Sequence, residues 1–149
     1  MEWVLKKFHE LTLDELYAIL ALRSKVFIVE QHCIYNDVDG KDQAAFHLMG
    51  LEKDELIAYT RILSPGVVYP DPAIGRVVTL PAKRRSGLGR ELMDRSIERC
   101  ESLFGKTSIT LSAQIYLKNF YESLGFFAIG NEYLDDGIPH VKMRRKASA

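Results

Sequence analysis

The feature that most constrains this chain is the stretch from Ile74 to Phe104, IGRVVTLPAKRRSGLGRELMDRSIERCESLF. It opens with an apolar, β-branched run at Ile74, Val77, Val78, Thr79 and Leu80, crosses a basic turn, and resumes with apolar residues at Leu88, Leu92, Met93, Ile97, Cys100, Leu103 and Phe104. The first pattern suits a strand, and the second spaces its residues along one face of a helix. A strand, a turn and a helix therefore follow one another, and the rest of the fold has to accommodate that unit.

The turn reads Arg84-Arg85-Ser86-Gly87-Leu88-Gly89, and its two glycines let backbone approach a ligand where a Cβ would collide. Successive N–H groups in the turn, followed by the unpaired N–H groups of the helix start, form a site for an anion. Lys83, Arg84, Arg85 and Arg90 add positive charge, and residues 83–90 contain no acid. A pyrophosphate is the expected ligand, against the plainer reading of a tight turn that only starts a helix. Other phosphate loops fit less well: G-x-G-x-x-G needs glycine where Leu92 stands, and G-x-x-x-x-G-K-[ST] has no match.

At 149 residues the chain reads as one domain over 1–149, long enough to bury roughly two thirds of the surface its unfolded form exposes. Its net charge of zero and pI near 6.9 give no general attraction to nucleic acid or to an anionic membrane. No run has the length of a bilayer span and MEWVLKKF lacks the parts of a signal peptide, so a cytoplasmic location is the default expectation. Cys33 and Cys100 are far apart and sit in patterned segments, as reduced thiols do, with Cys100 on the apolar helix face. His9, His32, Cys33 and His47 show no metal spacing, and no metal is expected.

In chain order, residues 2–8 alternate as a strand, and Thr12-Leu13-Asp14-Glu15 has capping-box spacing ahead of one long or two short helices ending near Gln31. The polar, acidic segment from His32 to Ala45 fails the EF-hand pattern, because Tyr35 and Phe46 would fall at the first and last ligand positions. It reads as a solvated or substrate-facing loop. Residues 45–52 and 56–63 form a hairpin around Lys53-Asp54-Glu55. After the helix closed by Gly105, strand 108–113, a helical face over 114–124 closed by Gly125, and short strands over 126–129 and 141–144 complete the order, leaving a frayed basic tail over 144–149.

Gln114 to Phe127, QIYLKNFYESLGFF, adds a second signature about thirty residues after the first, a short helix with Tyr121 just ahead of Gly125-Phe126. Together the two stretches resemble the GNAT superfamily of acyl-CoA-dependent N-acetyltransferases. Arg23 to Gln31 (RSKVFIVEQ), Tyr35 to Asp39, Ala58 to Leu63 (AYTRIL) and Asp136 to His140 are similar to the ElaA subfamily, so the resemblance covers nearly the whole chain. The chain departs from the pattern at Arg85, where many members have glycine, and at Thr79, where an aliphatic residue is common. The resemblance implies an α+β, three-layer GNAT fold: a mixed, mostly antiparallel sheet of six to seven strands, flanked by four helices, with a central parallel pair.

It also implies transfer of acetyl from acetyl-CoA to a primary amine, small-molecule or peptide, with a homodimer left open. Arg84, Arg85, Ser86, Gly87, Leu88, Gly89 and Arg90 would hold the diphosphate. Val77, Val78 and Thr79 would pair with the pantetheine arm like an added strand, a backbone N–H at Val78 or Thr79 would hold the oxyanion, and Gln114 would face the arm. An amine with a pKa near 10.4 costs roughly 4 to 5 kcal/mol to deprotonate at pH 7, so a base is useful, as is an acid for the departing thiolate. Tyr121 matches the acid position, although a tyrosine there would also pack as core. Glu30 and His140 are candidates for the base, with water as the alternative. Glu30, Asp37, Asp39, Asp42, Asp135 and Asp136 are expected around the entrance, where they would favour a cationic amine. Two other readings stand beside this one. The first is an acyl-CoA-binding module without turnover. The second follows from the Arg23 to Phe27 segment, which is also similar to acyl-homoserine-lactone synthases, enzymes of the same fold that use acyl-carrier protein and S-adenosylmethionine.

Overall fold

The computed structural model describes residues 1–147. Strand β1, Glu2–Lys7, leads into helix α1, Leu13–Arg23, which starts as its sequence dictates. The Thr12 hydroxyl accepts the Glu15 N–H at 3.1 Å, and the Glu15 carboxylate accepts the Thr12 N–H at 2.8 Å. Each satisfies a donor that the first helical turn leaves free. At Ser24 the helix widens without a break into a π-helix, Ser24–Glu30, whose closing bonds run from Gln31 N–H to the Val26 carbonyl and from Cys33 N–H to the Ile28 carbonyl. The predicted helices up to Gln31 are thus one continuous element.

Strands β2, Phe46–Glu52, and β3, Glu55–Leu63, form the expected hairpin. Its two turn residues, Lys53 and Asp54, both have positive φ, which matches the right-handed twist of the flanking strands. β4, Ala73–Thr79, runs antiparallel to β3, with a register shift between Tyr59 and Arg61 facing Arg76, itself at φ +50°. Helix α2, Leu88–Phe104, then crosses to β5, Ile109–Gln114. A 3-10 turn, Ile115–Leu117, precedes the short helix α3, Lys118–Glu122, and β6, Phe126–Asp135, and β7, Ile138–Arg145, complete one seven-stranded mixed sheet in the order β1-β2-β3-β4-β5-β7-β6.

The centre of this sheet is its weakest seam. β4 and β5 are parallel as expected, yet they pair at one position, Ala73 with Thr110, backed by a bond from Thr110 N–H to the Pro72 carbonyl. Beyond it the strands diverge. Helices cover both faces: Met93, Ile97 and Cys100 of α2 pack with Tyr121 and Leu124 on Ile62, Ile74, Ile109 and Leu111, while Ile19, Leu22 and Val26 pack on Met49, Tyr59 and Val78. Burial pushes the Cys100 thiol up to about 12, so it stays an inert core group.

The expected fold is present, with local corrections. Three helices flank the sheet instead of four, because the second joins α1. Gln114 ends β5 and does not begin a helix. Leu103, on the apolar side by spacing, is exposed. β6 and β7 are longer than the apolar runs indicated, because their outer halves form an exposed ribbon, and Arg144 and Arg145 belong to β7; of the predicted tail, residues 148 and 149 lie outside the described residues. No helix among the described residues is long and apolar enough to cross a membrane.

Candidate active site

The basic turn stands at the C-terminal end of β4. Pro81–Lys83 makes one 3-10 turn, Arg85 and Gly87 both adopt positive φ (+67° and +80°), and α2 begins at Leu88. Its first helical bond runs from Glu91 N–H to the Gly87 carbonyl, and no side chain caps the end. The N–H groups of Leu88, Gly89 and Arg90 therefore have no helical acceptor. A Cβ built on Gly87 meets nothing within 4 Å, and one on Gly89 meets only the Phe120 ring at 4.0 Å. Glycine at these positions leaves open space over unpaired donors, which is the form a diphosphate requires.

The cations of this turn are not all free. Lys83 pairs with Glu52 at 2.7 Å, and Arg84 makes a two-pronged pair with Glu30 at 2.7 and 2.8 Å. Arg90 donates to the Ser123 hydroxyl at 3.1 Å. Arg85 has no acidic partner among the described residues. Although residues 83–90 hold no acid, the fold brings Glu52 and Glu30 to them from elsewhere in the chain.

Where β4 and β5 part, a cavity of about 440 Å³ opens between them, lined by Ile74 to Val77 on one side and Leu111, Ser112 and Gln114 on the other. Tyr121 and His140 reach the same space. Only 5 % of Tyr121 is exposed; its ring packs edge-on against Phe120 and Phe126, and its hydroxyl has no partner among the described residues. Burial, with a smaller contribution from Tyr116, pushes the Tyr121 phenol well above the usual tyrosine range, so the proton stays in place. His140 stands beside Gln114 across the β5–β7 ladder. Its Nδ1 is 2.7 Å from the Ile138 carbonyl. A carbonyl only accepts, so Nδ1 carries a hydrogen, and in the neutral ring Nε2 then keeps its lone pair. Gln114 reaches toward Gln31, Nε2 to Oε1 at 3.5 Å, which closes the cavity on the π-helix side.

Glu30 lies apart from this group. It is exposed at the end of the π-helix, outside the cavity, and the Arg84 hydrogen bonds hold its carboxyl below the usual carboxylate range. Among the residues singled out from sequence, Tyr121, Gln114, His140 and Val77 share one space, the Gly87–Gly89 turn lies at the neighbouring helix start, and Glu30 joins the turn through Arg84.

Sequence reasoning missed the far wall of the cavity. The segment 32–45 sends Asp37, Asp39 and Asp42 inward, where three arginines from three other elements meet them. Arg23, 0 % exposed, donates through Nε to Asp37 at 2.9 Å, through one terminal nitrogen to Asp42 at 2.7 Å and through the other to the Asp37 carbonyl at 2.8 Å. Arg61 grips Asp39 with two bonds (2.7 and 2.9 Å) and also reaches Asp42 at 3.1 Å. Arg76, placed by its positive φ, sits 2.8 Å from Asp37 Oδ1 as an ion pair and donates to Asp39 at 3.3 Å. Behind the wall, Tyr59 donates to Nδ1 of His47 at 2.6 Å, and His47 Nε2–H donates to the Asp42 carbonyl at 2.9 Å. Of the acids expected around the entrance, Asp39, itself paired with Arg61 and Arg76, lines the cavity with Asp135 and Asp136, whereas Asp37 and Asp42 are buried behind it and paired with arginine and Glu30 lies outside, paired with Arg84. One signal was available in the sequence, since Arg61 interrupts the otherwise apolar or hydroxyl-bearing run AYTRIL.

The sequence model for the "Acetyltransferase (GNAT) domain" family matches residues 14–147. Protein ElaA of Escherichia coli is 40 % identical over 148 residues, covering 98 % of this chain and 97 % of that protein, and its crystal structure superposes with a TM-score of 0.91. The crystal structure of an acyl-CoA N-acyltransferase from Pseudomonas aeruginosa is 45 % identical, covers 97 % of this chain and 99 % of its own, and has a TM-score of 0.92. An aminoglycoside 6'-N-acetyltransferase complexed with coenzyme A, 15 % identical, covers 96 % of both chains at a TM-score of 0.71 and so shares the fold.

Proposed function

This chain belongs to the GNAT acetyltransferase family, and from that premise we propose that it transfers acetyl from acetyl-CoA directly to a primary amine on a small molecule or peptide. The observation that carries the reading is the parting of β4 and β5 after Ala73 and Thr110. It leaves the edge of β4 unpaired and opens a cavity beside that edge lined by Tyr121, while the free N–H groups at the start of α2 follow the C-terminal end of the same strand.

The residues present fit the donor. The N–H groups of Gly87, Leu88, Gly89 and Arg90, with the Ser86 turn and the cations of Arg85, Arg90 and Arg84, would hold a diphosphate. Val77, Val78 and Thr79 offer main-chain donors and acceptors to the amides of an extended arm, with Gln114 facing them. Acetyl-CoA supplies a thioester, an acyl group on a good leaving group. A β4 N–H at Val78 or Thr79 would stabilise negative charge on the reacting carbonyl oxygen. Tyr121 keeps its proton through burial and would release it to the departing sulfur. Nε2 of His140, which carries the lone pair of the neutral ring when Nδ1–H is on the Ile138 carbonyl, would take the proton of the amine, directly or through one water. The placement of Glu30 supports it less as the base, because Arg84 occupies both carboxylate oxygens.

Release of free CoA thiol from acetyl-CoA, measured across polyamines, aminoglycosides and lysine peptides, tests the proposal. Saturating acetyl-CoA is expected to stabilise the chain by about 2.7 kcal/mol at a hundredfold over Kd. Tyr121→Phe is expected to keep that stabilisation and slow release by roughly 10² to 10⁴. No stabilisation at millimolar acetyl-CoA would remove the proposal. Stabilisation with no amine-dependent release would favour a binding module.

A further inference from the structure

His140 has a support that its role as a proton acceptor does not by itself explain. The outermost strand, β6, shifts register between Ile129 and Tyr133, and this places Tyr133 opposite His140 on β7. The two rings stack with centroids 6.1 Å apart at an interplanar angle of 24°. Gln114 of β5 stands opposite His140 on the other side, so Ser112, two residues earlier, shares its face of the sheet. The Tyr133 hydroxyl hydrogen-bonds to the Ser112 hydroxyl. The tyrosine therefore lies across β7 over the imidazole and is fastened at its far end to the strand that lines the cavity.

This arrangement bears on proton chemistry. Neutral imidazole in water favours the form with hydrogen on Nε2, in which Nε2 cannot accept a proton. The Ile138 carbonyl reverses that preference only while Nδ1 points at it, and a half-turn of the ring would cancel the effect. The bond to the Ile138 carbonyl itself selects against the half-turn, and an aromatic plane stacked on the ring, and itself tethered, opposes the swing out of this plane that would carry Nδ1 off the carbonyl. We infer that Tyr133 and Ser112 are positioning residues that hold His140 with Nδ1–H on the Ile138 carbonyl and Nε2 open to the acceptor amine. The inference rests on the reading of His140 as the base, and it concerns how that base is kept in its working form.

Long-range ¹H–¹⁵N correlation of the imidazoles in the full-length protein, at a pH where they are neutral, reads the hydrogen position directly, with His140→Gln identifying the signal. The wild type is expected to show a protonated Nδ1 and a bare Nε2 at His140. Tyr133→Leu is expected to lose that signature in favour of the Nε2–H form and, with acetyl-CoA and the amine giving fastest thiol release, to lower kcat about tenfold while leaving the acetyl-CoA KM within about twofold. Tyr133→Phe keeps the stack without the tether, and Ser112→Ala removes the tether from the other side; both are expected to shift the signature partway. These two milder variants also decide the matter if Tyr133→Leu fails to fold. An unchanged His140 signature in the Tyr133 and Ser112 variants, or an Nε2–H form in the wild type, overturns the inference. Full kcat in His140→Gln would instead remove the base assignment, while the spectra still judge the tether.

Discussion

Two clusters of charge, one lining the cavity and one at the helix start beyond β4, behave in opposite ways. In the wall built from Arg23, Arg61, Arg76, Asp37, Asp39 and Asp42, three cations meet three anions and every carboxylate is paired with arginine, although the buried Nε–H groups of Arg61 and Arg76 have no hydrogen-bond acceptor among the described residues. In the turn from Lys83 to Arg90, some cations borrow acids from elsewhere, Arg85 has none, and three main-chain N–H groups face open space. The charges of the wall balance among themselves; those of the turn do not. Binding chemistry is to be sought where polar groups remain unmatched, and a dense set of charges matched among themselves reads as architecture.

The contrast can be broken or sharpened by substitution, and the largest effect belongs to the wall. Arg23→Leu leaves Asp37 and Asp42 buried without their main partner, which is expected to cost about 3 to 5 kcal/mol. Thermal unfolding should show a midpoint roughly 10 °C lower. A midpoint within about 3 °C of wild type would mean that the wall contributes little. In the turn the expectation reverses. Gly89→Ala meets no clash in the protein and improves helix propensity, so the midpoint should hold or rise, while the added methyl occupies the ligand's space and weakens acetyl-CoA roughly tenfold by titration.

Acid exposes the wall next. Burial, above all, lowers the His47 pKa below its ordinary 6.5, so its neutral form is the native one. The unfolded chain binds that proton more readily, and stability should be complete above about pH 6.5 and fall as pH drops below it. The Asp39 and Asp42 carboxyls are held low by hydrogen bonds from Arg61 and Arg23 that outweigh burial, so a second loss should begin as pH falls below about 3.8. Unfolding midpoints from pH 8 to pH 3 check both steps, and a flat profile between 7 and 5 would contradict the assignment for His47. The smallest effect is expected at the Glu30–Arg84 pair. It is exposed, so Glu30→Gln should change stability by no more than about 1 kcal/mol, while tightening acetyl-CoA about twofold by releasing Arg84.

Local rules made much of this molecule legible in its sequence. The Thr12–Glu15 box, the Lys53–Asp54 hairpin and the strand–turn–helix around Gly87 each depend on residues a few positions apart, and each formed where its spacing indicated. Tyr121, Gln114 and His140, each singled out from sequence for a separate role, line one cavity. The wall was illegible for a physical reason. Asp37 becomes a core residue only because Arg23 and Arg76 arrive from 14 residues before it and 39 after it. A polar run such as NDVDGKD reads as solvated until those partners are known. The parting of β4 and β5 was hidden in the same way, since a strand's sequence does not record how far its neighbour follows it.

That parting makes the sheet two plates, β1–β4 and β5–β7, joined along a midline by one paired position and by the helix that crosses it. An extended molecule seated in the gap, as proposed for the donor's arm, would supply the missing rungs and turn two plates into one. Its occupancy should therefore be felt as stiffness in strands it never touches.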